Sequence, residues 1–242
     1  MYSLFLENAI NKPIGNKLKA QQKIYLHTTH SSAGFSLVEM LAVIVMIGVL
    51  AAIAAPNWIA FVNRQRASKA NDVVLSAIRD AQNEATKQKR RYSVSFKTDN
   101  NIPQVAIYPH PQGYILPSDS NIWRPLGENL DISPGQIVIG TNITSENTSS
   151  SSVTYASNPT FTATSKPQTI TFDHTGALDL LVKTKSDSIT SVQTSKLGTK
   201  GLIVSVAVAK PGNPTQESNV KRCVIIKTIL GTTKTARDAE CS

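Results

Sequence analysis

Polar and apolar positions along the chain fall into three regimes. The first is a run without charge: from Met40 through Asn63 no residue is charged. Leu41, Val43, Ile44, Val45, Ile47, Val49 and Leu50 leave no polar side on a helix. A helix that is apolar all round belongs in lipid or inside an assembly. Residues 35–63 also exceed the about 20 residues that a bilayer crossing requires. The second regime is amphipathic. Ala70, Val73, Val74, Ala77, Ile78, Ala81 and Ala85 recur at steps of three and four, which makes one apolar stripe on a helix. Arg66, Lys69, Asp72, Arg79, Asp80 and Lys87 take the other faces. The two regimes join without a break, so one helix is predicted from about Phe35 to Lys89. Pro56 lies inside it, where a missing donor and a ring clash predict a kink or local melting.

After Arg91 the period changes to two. Tyr92, Val94 and Phe96 alternate with polar residues, the pattern of a half-buried strand. Further strands are predicted at Val105–Tyr108, Ile137–Ile139, Thr169–Phe172, Leu178–Val182, Leu202–Ala209 and Cys223–Leu230. Asp173-His174-Thr175-Gly176 reads as a hairpin turn. Residues 109–135 carry Pro109, Pro111, Pro117, Pro125 and Pro134, so mostly loop is predicted there. Residues 140–168 are dominated by Ser, Thr and Asn and are predicted as a loop or insertion. The expected fold class is α+β: a long N-terminal helix, one half membrane-spanning and one half amphipathic, packed on an antiparallel sheet domain.

Composition changes this picture in two places. The 242 residues carry 25 basic and 16 acidic side chains, a net charge of +9. The segment before Phe35 contributes Lys12, Lys17, Lys19 and Lys23 against Glu7. Basic residues are densest after the apolar run, at Arg64, Arg66, Lys69, Arg79 and Lys87 to Arg91. Such a surface can attract nucleic acid or anionic lipid, although a solvated helix face is the simpler and preferred reading. The N-terminus has its own order. A secretory signal places the apolar core before a small-residue cleavage site. Here Ser31-Ser32-Ala33-Gly34 precedes the core. Cleavage after Gly34 would leave the apolar helix with the mature chain.

Gly34-Phe35-Ser36-Leu37-Val38-Glu39, opening a long apolar run with Pro56 inside it, resembles the processing motif of type IV prepilins and type II secretion pseudopilins. Ile170–Gly176, Leu202–Ala209, Arg222–Ile226 and Leu230-Gly231 are similar, more loosely, to minor pilins and pseudopilins of the GspH/FimT type. The resemblance implies a division into a leader at 1–34, a transmembrane or filament-core helix at 35–63, an amphipathic helix at 64–91 and a β-rich domain at 92–242. It implies that prepilin peptidase cuts between Gly34 and Phe35 and that Phe35 is N-methylated. It implies that Glu39 meets the N-terminal amine of a neighbouring subunit, and that the helix near Pro56 melts on assembly. A carboxylate in lipid is costly and finds a partner; an interfacial Glu facing headgroups is the simpler alternative. Implied partners are prepilin peptidase, other pilin or pseudopilin subunits, an inner-membrane assembly platform and the membrane. The implied location is the inner membrane, single-pass, with the C-terminal domain in the periplasm, and then the pilus or pseudopilus.

With an extracytoplasmic domain, Cys223 and Cys241 are expected as a disulfide; two free thiols are the alternative, and a zinc site lacks further ligands. No catalytic or cofactor motif emerges: no phosphate loop, dinucleotide fingerprint or nucleophile elbow. His27 and His30 lie in the leader, and His110 and His174 have no metal-ligand spacing. Asp173 with His174 is explained by the turn. An exported enzyme is therefore disfavoured, and no cofactor or metal is expected. The second functional reading is a DNA-binding minor pilin of a competence filament, with Lys221, Arg222, Lys227, Lys234 and Arg237 on phosphates. Their wide spacing, followed by Asp238 and Glu240, departs from a dense basic loop.

Overall fold

The computed structural model describes residues 34–110, 120–128, 130, 132–155, 158–159, 161, 167–179 and 197–242. The leader residues 1–33, with His27 and His30, lie outside them, as do Leu180, Leu181 and Val182 of one predicted strand. The chain divides into two compact units, Met1–Gly48 and Val49–Ser242.

Helix α1 spans Leu37–Gln88. It passes Pro56 as helix in the single chain. Ala51, Ala52, Ala54 and Ala55 before it are the strongest helix formers, and a proline removes a single ladder bond. Among the described residues this helix is long and apolar enough to cross a membrane. In the second unit α1 buries one stripe: Ala67, Ala70, Val74, Ala77, Ile78, Ala81 and Ala85. The stripe is that of the sequence pattern, with Ala67 added and Val73 only half-buried. Alanines dominate it.

Two antiparallel sheets receive the stripe. The strands are β1 (Tyr92–Asp99), β2 (Ile102–Pro109), β3 (Arg124–Pro125), β4 (Ile137–Ser145), β5 (Thr148–Tyr155), β6 (Thr169–Phe172), β7 (Leu202–Lys210), β8 (Asn213–Ile226) and β9 (Thr233–Arg237). Their orders are β3-β2-β1-β6 and β5-β4-β7-β8-β9. Period two explains which residues enter the core. Val94 and Phe96 of β1, Ile170 and Phe172 of β6, and Leu202, Val204 and Val206 of β7 join the helix in one cluster. The alternate β7 residue Ile203 joins Cys223, Ile225 and Cys241 on the far face. Strand β7 is therefore buried on both sides, which accounts for its unbroken apolar run. Gly201 before it has φ +81°, and a Cβ there would collide with the Ile226 carbonyl oxygen, so only glycine fits.

The segment 140–168 departs from its expectation as a loop over 140–155; residues 156–157, 160 and 162–166 of it lie outside the described residues. Residues through Tyr155 form a hairpin of β4 and β5. Its asparagines supply the reason. Asn142 Nδ2 donates to the carbonyls of Ser150 and Gly201, and its Oδ1 accepts from Ile203 N–H. Asn147 Nδ2 donates to the carbonyls of Thr171 and Asp179, while Thr171 N–H donates to its Oδ1. Asn147, with φ +52°, thereby ties the hairpin turn to β6 of the other sheet. Both asparagines are buried. Their amides are fully engaged inside, although Asn142-Ile143-Thr144 and Asn147-Thr148-Ser149 match a glycosylation pattern. The predicted strand at Cys223–Leu230 is also shifted: β8 starts at Asn213 and ends at Ile226. Lys227–Leu230 instead belong to the turn before β9.

Candidate functional site

The N-terminal motif sits on the first turn of α1. Ser36 is its N-cap: the Glu39 N–H donates to Ser36 Oγ at 3.1 Å, and the Met40 N–H donates to the Ser36 carbonyl at 3.1 Å. Ser36 and Glu39 thus occupy the N-cap and N3 positions of a capping-box sequence. A carboxylate in this turn also faces the positive end of the helix dipole. The capping spacing is a second, purely local reason for Glu39. It is legible in the sequence once Ser36 is counted with it.

Gly34 tells a different story. It has no positive φ, and nothing lies within 4 Å of the place a Cβ would take. Nothing in the fold requires glycine there. Glycine at this place serves close approach of another backbone better than it serves folding. Beyond it the helix surface is apolar and open. Phe35 is 72 % exposed and Leu37 82 %. Ile44, Leu50, Ile53 and Ile59 are exposed too. So large an apolar surface marks a place for lipid or protein.

Cys223 and Cys241 form a disulfide with Cα atoms 5.6 Å apart. Both are buried, and the bond fastens the C-terminal 3₁₀ turn Asp238–Cys241 against β8. Closing a loop of this size stabilises by roughly 3 kcal/mol in the chain-entropy picture.

The five basic residues considered for nucleic acid are not arranged alike. Lys221 Nζ lies 3.6 Å from Glu217 and 5.1 Å from the centre of the Tyr155 ring. Lys234 pairs with Glu240 at 3.0 Å. Arg222 is half-buried and donates through Nε to Ser68 Oγ at 3.2 Å. Lys227 and Arg237 are exposed. Carboxylates partner two of the five, so no uninterrupted basic stripe results.

The histidines and the turn acid have structural surroundings. His110 Nδ1 lies 3.0 Å from Ser93 Oγ and 3.7 Å from Glu146 Oε1. Both partners meet the same ring nitrogen, and Ser93 is fully buried, so they do not form a nucleophile–base relay. Asp173 closes its turn: Thr175 N–H, Thr175 hydroxyl and Ala177 N–H all donate to its Oδ1. Burial pulls the Asp173 pKa upward, but these donors outweigh it and hold the carboxyl below its ordinary value. Burial also pushes two phenols up to about 12. They are Tyr108, bonded to Ser95, and Tyr155, bonded to Ser205.

Comparison with known proteins bears on the N-terminal region. The family described as "Prokaryotic N-terminal methylation motif" matches residues 29–55. The type IV major pilin protein PilA of Myxococcus xanthus (strain DK1622) is 45 % identical over 60 residues, which are 25 % of this chain and 27 % of that protein. The chain thus spans only about a quarter of the length of that curated relative. No solved structure matches. The N-terminal region is thus type IV pilin-like: it carries an N-terminal methylation motif and shows distant homology to part of a major pilin.

Proposed function

We propose that this chain is a structural subunit, a minor pilin or pseudopilin of the GspH/FimT type, that works by assembly without turnover of a substrate. Prepilin peptidase cuts after Gly34, and the new amine of Phe35 is methylated. The subunit is stored in the inner membrane by the 35–63 helix, with residues 92–242 in the periplasm. An inner-membrane assembly platform then moves it among other pilins into a type IV pilus or a type II secretion pseudopilus. The methylation motif at residues 29–55 carries this reading. The capped, exposed apolar helix that follows it supports the reading: one surface serves lipid during storage and neighbouring helices in the filament. A heterologous contact between helices propagates without closing, as a filament requires.

N-terminal sequencing of the full chain from membranes, with and without the cell's prepilin peptidase, tests the proposal. A mature start at methylated Phe35, lost without the peptidase, is expected. A start elsewhere rejects it.

A further inference from the structure

A cleft of about 290 Å³ opens between α1 and the paired strands β8 and β9. Ser68, Asn71 and Asp72 line it from the helix, and Arg222, Thr235 and Arg237 from the strands. Arg222 and Arg237 stand directly opposite each other in the β8–β9 register. Like charges so placed repel unless something anionic lies between them. Among the described residues no carboxylate forms an ion pair with either: Arg222 donates only to Ser68 Oγ and to the Lys221 carbonyl, both neutral. Asn71 lines the same cleft beside Asp72 and is itself 4 % exposed.

The geometry points to a binding site for the phosphodiester headgroup of an anionic phospholipid. Guanidinium forks match phosphate oxygens in pairs. The charge balance selects within that class. Two arginines and Asp72 leave one net positive charge, which suits a singly charged diester better than a doubly charged monoester. Position selects the source. Ser68 and Asn71 follow Asn63, the last residue of the uncharged run, by five and eight residues, or about 8 and 12 Å along a helix. Arg64, Arg66 and Lys69 occupy the same stretch. With the apolar half in a bilayer, the reading on which this inference rests, long arginine side chains at this level reach the headgroup layer.

The test uses the full chain purified in detergent, with native mass spectrometry counting retained phospholipid. Phosphatidylglycerol should be held over phosphatidylcholine by about tenfold, the discrimination expected from charge-assisted contacts. Arg237→Gln, at an exposed position, and Asn71→Asp, which adds a negative charge, should each abolish that preference. The double variant Lys227→Gln/Lys234→Gln removes two positive charges outside the cleft and should keep it. Equal loss in both sets of variants would show diffuse attraction and overturn the site. So would equal retention of the two lipids by the unaltered chain. Inorganic phosphate or a duplex oligonucleotide, bound without lipid preference and released by Arg237→Gln, would overturn the lipid assignment. Extraction separates the two readings: a chain that leaves membranes without detergent removes the bilayer premise. A membrane-bound chain with no lipid preference removes only the cleft.

Discussion

Gly34 and Asp173 show how differently single residues are constrained here. Gly34 touches nothing that a methyl group would disturb, so Gly34→Ala should leave thermal unfolding of the full chain unchanged. The same change should block production of the chain that begins at Phe35, read by N-terminal sequencing; normal processing would detach Gly34 from cleavage. Asp173 is the reverse, a residue whose work is wholly inside the fold. Its folded pKa lies below the unfolded one, so its contribution to stability is present above the unfolded value and is lost as pH falls through the folded value. Unfolding midpoints should therefore drop below about pH 4 in the parent, and Asp173→Asn should flatten that drop. Tyr108 and Tyr155 act at the other end. The neutral phenol is the buried form, so their stabilisation is complete below the ordinary pKa and fades toward about 12. Phenolate absorbance of the parent should still be rising near pH 12, and Tyr108→Phe and Tyr155→Phe should each reduce that late rise. The Asp173 turn was legible in the sequence because Asp, Thr and Gly are turn residues for known reasons. The Tyr108 and Tyr155 burial was not, because it depends on which strands meet.

At the scale of elements, periodicity carries furthest where a segment has one buried face. The stripe from Ala70 to Ala85 reached the structure nearly intact, whereas the strand expected to be half-buried at Tyr92–Phe96 also buries Ser93 and Ser95 on its other face, where they bond Thr171, Thr169 and Tyr108. Ile78 stands at the centre of that stripe and is fully buried. Ile78→Ala should cost about 2–5 kcal/mol in chemical denaturation of the full chain in detergent, by lost transfer energy and a residual cavity. Periodicity fails at 140–155 for a specific reason. Ser, Thr and Asn are depleted in or neutral toward strands, so composition argues for loop. What makes the segment a hairpin is pairing with β7 and two asparagines that bond backbone groups from segments distant in the chain. Those partners are 59 and 32 residues away and leave no local trace. Asn147→Ala should accordingly cost on the order of 3 kcal/mol, since it strands buried groups of Thr171 and Asp179 without partners. A loss below that of an ordinary surface change would mean the asparagine is dispensable.

At the scale of the whole molecule, the proposed filament gives Glu39 a contact beyond its own chain. Two accounts compete at the same atom. The local one makes Glu39 the N3 member of a capping box with Ser36. The assembly one makes its carboxylate the partner of a neighbouring subunit's N-terminal amine. Substitution by Val removes both roles, so impaired incorporation of Glu39→Val would not separate them. Glu39→Gln does separate them. Glutamine serves at N3 of a capping box as glutamate does, and it carries no charge. If the local account holds, Glu39→Gln subunits should enter filaments like the parent, while Ser36→Ala, which removes the observed cap, should impair entry. If the assembly account holds, Ser36→Ala should be tolerated, and Glu39→Gln should be processed at Gly34 yet fall several-fold in sheared filament fractions. A neutral amide forfeits the charge-assisted part of the bond, the stronger part wherever water is excluded. We expect the second pattern. A cap contributes about 1 kcal/mol to a helix that already has 52 residues, too little to govern whether the subunit assembles.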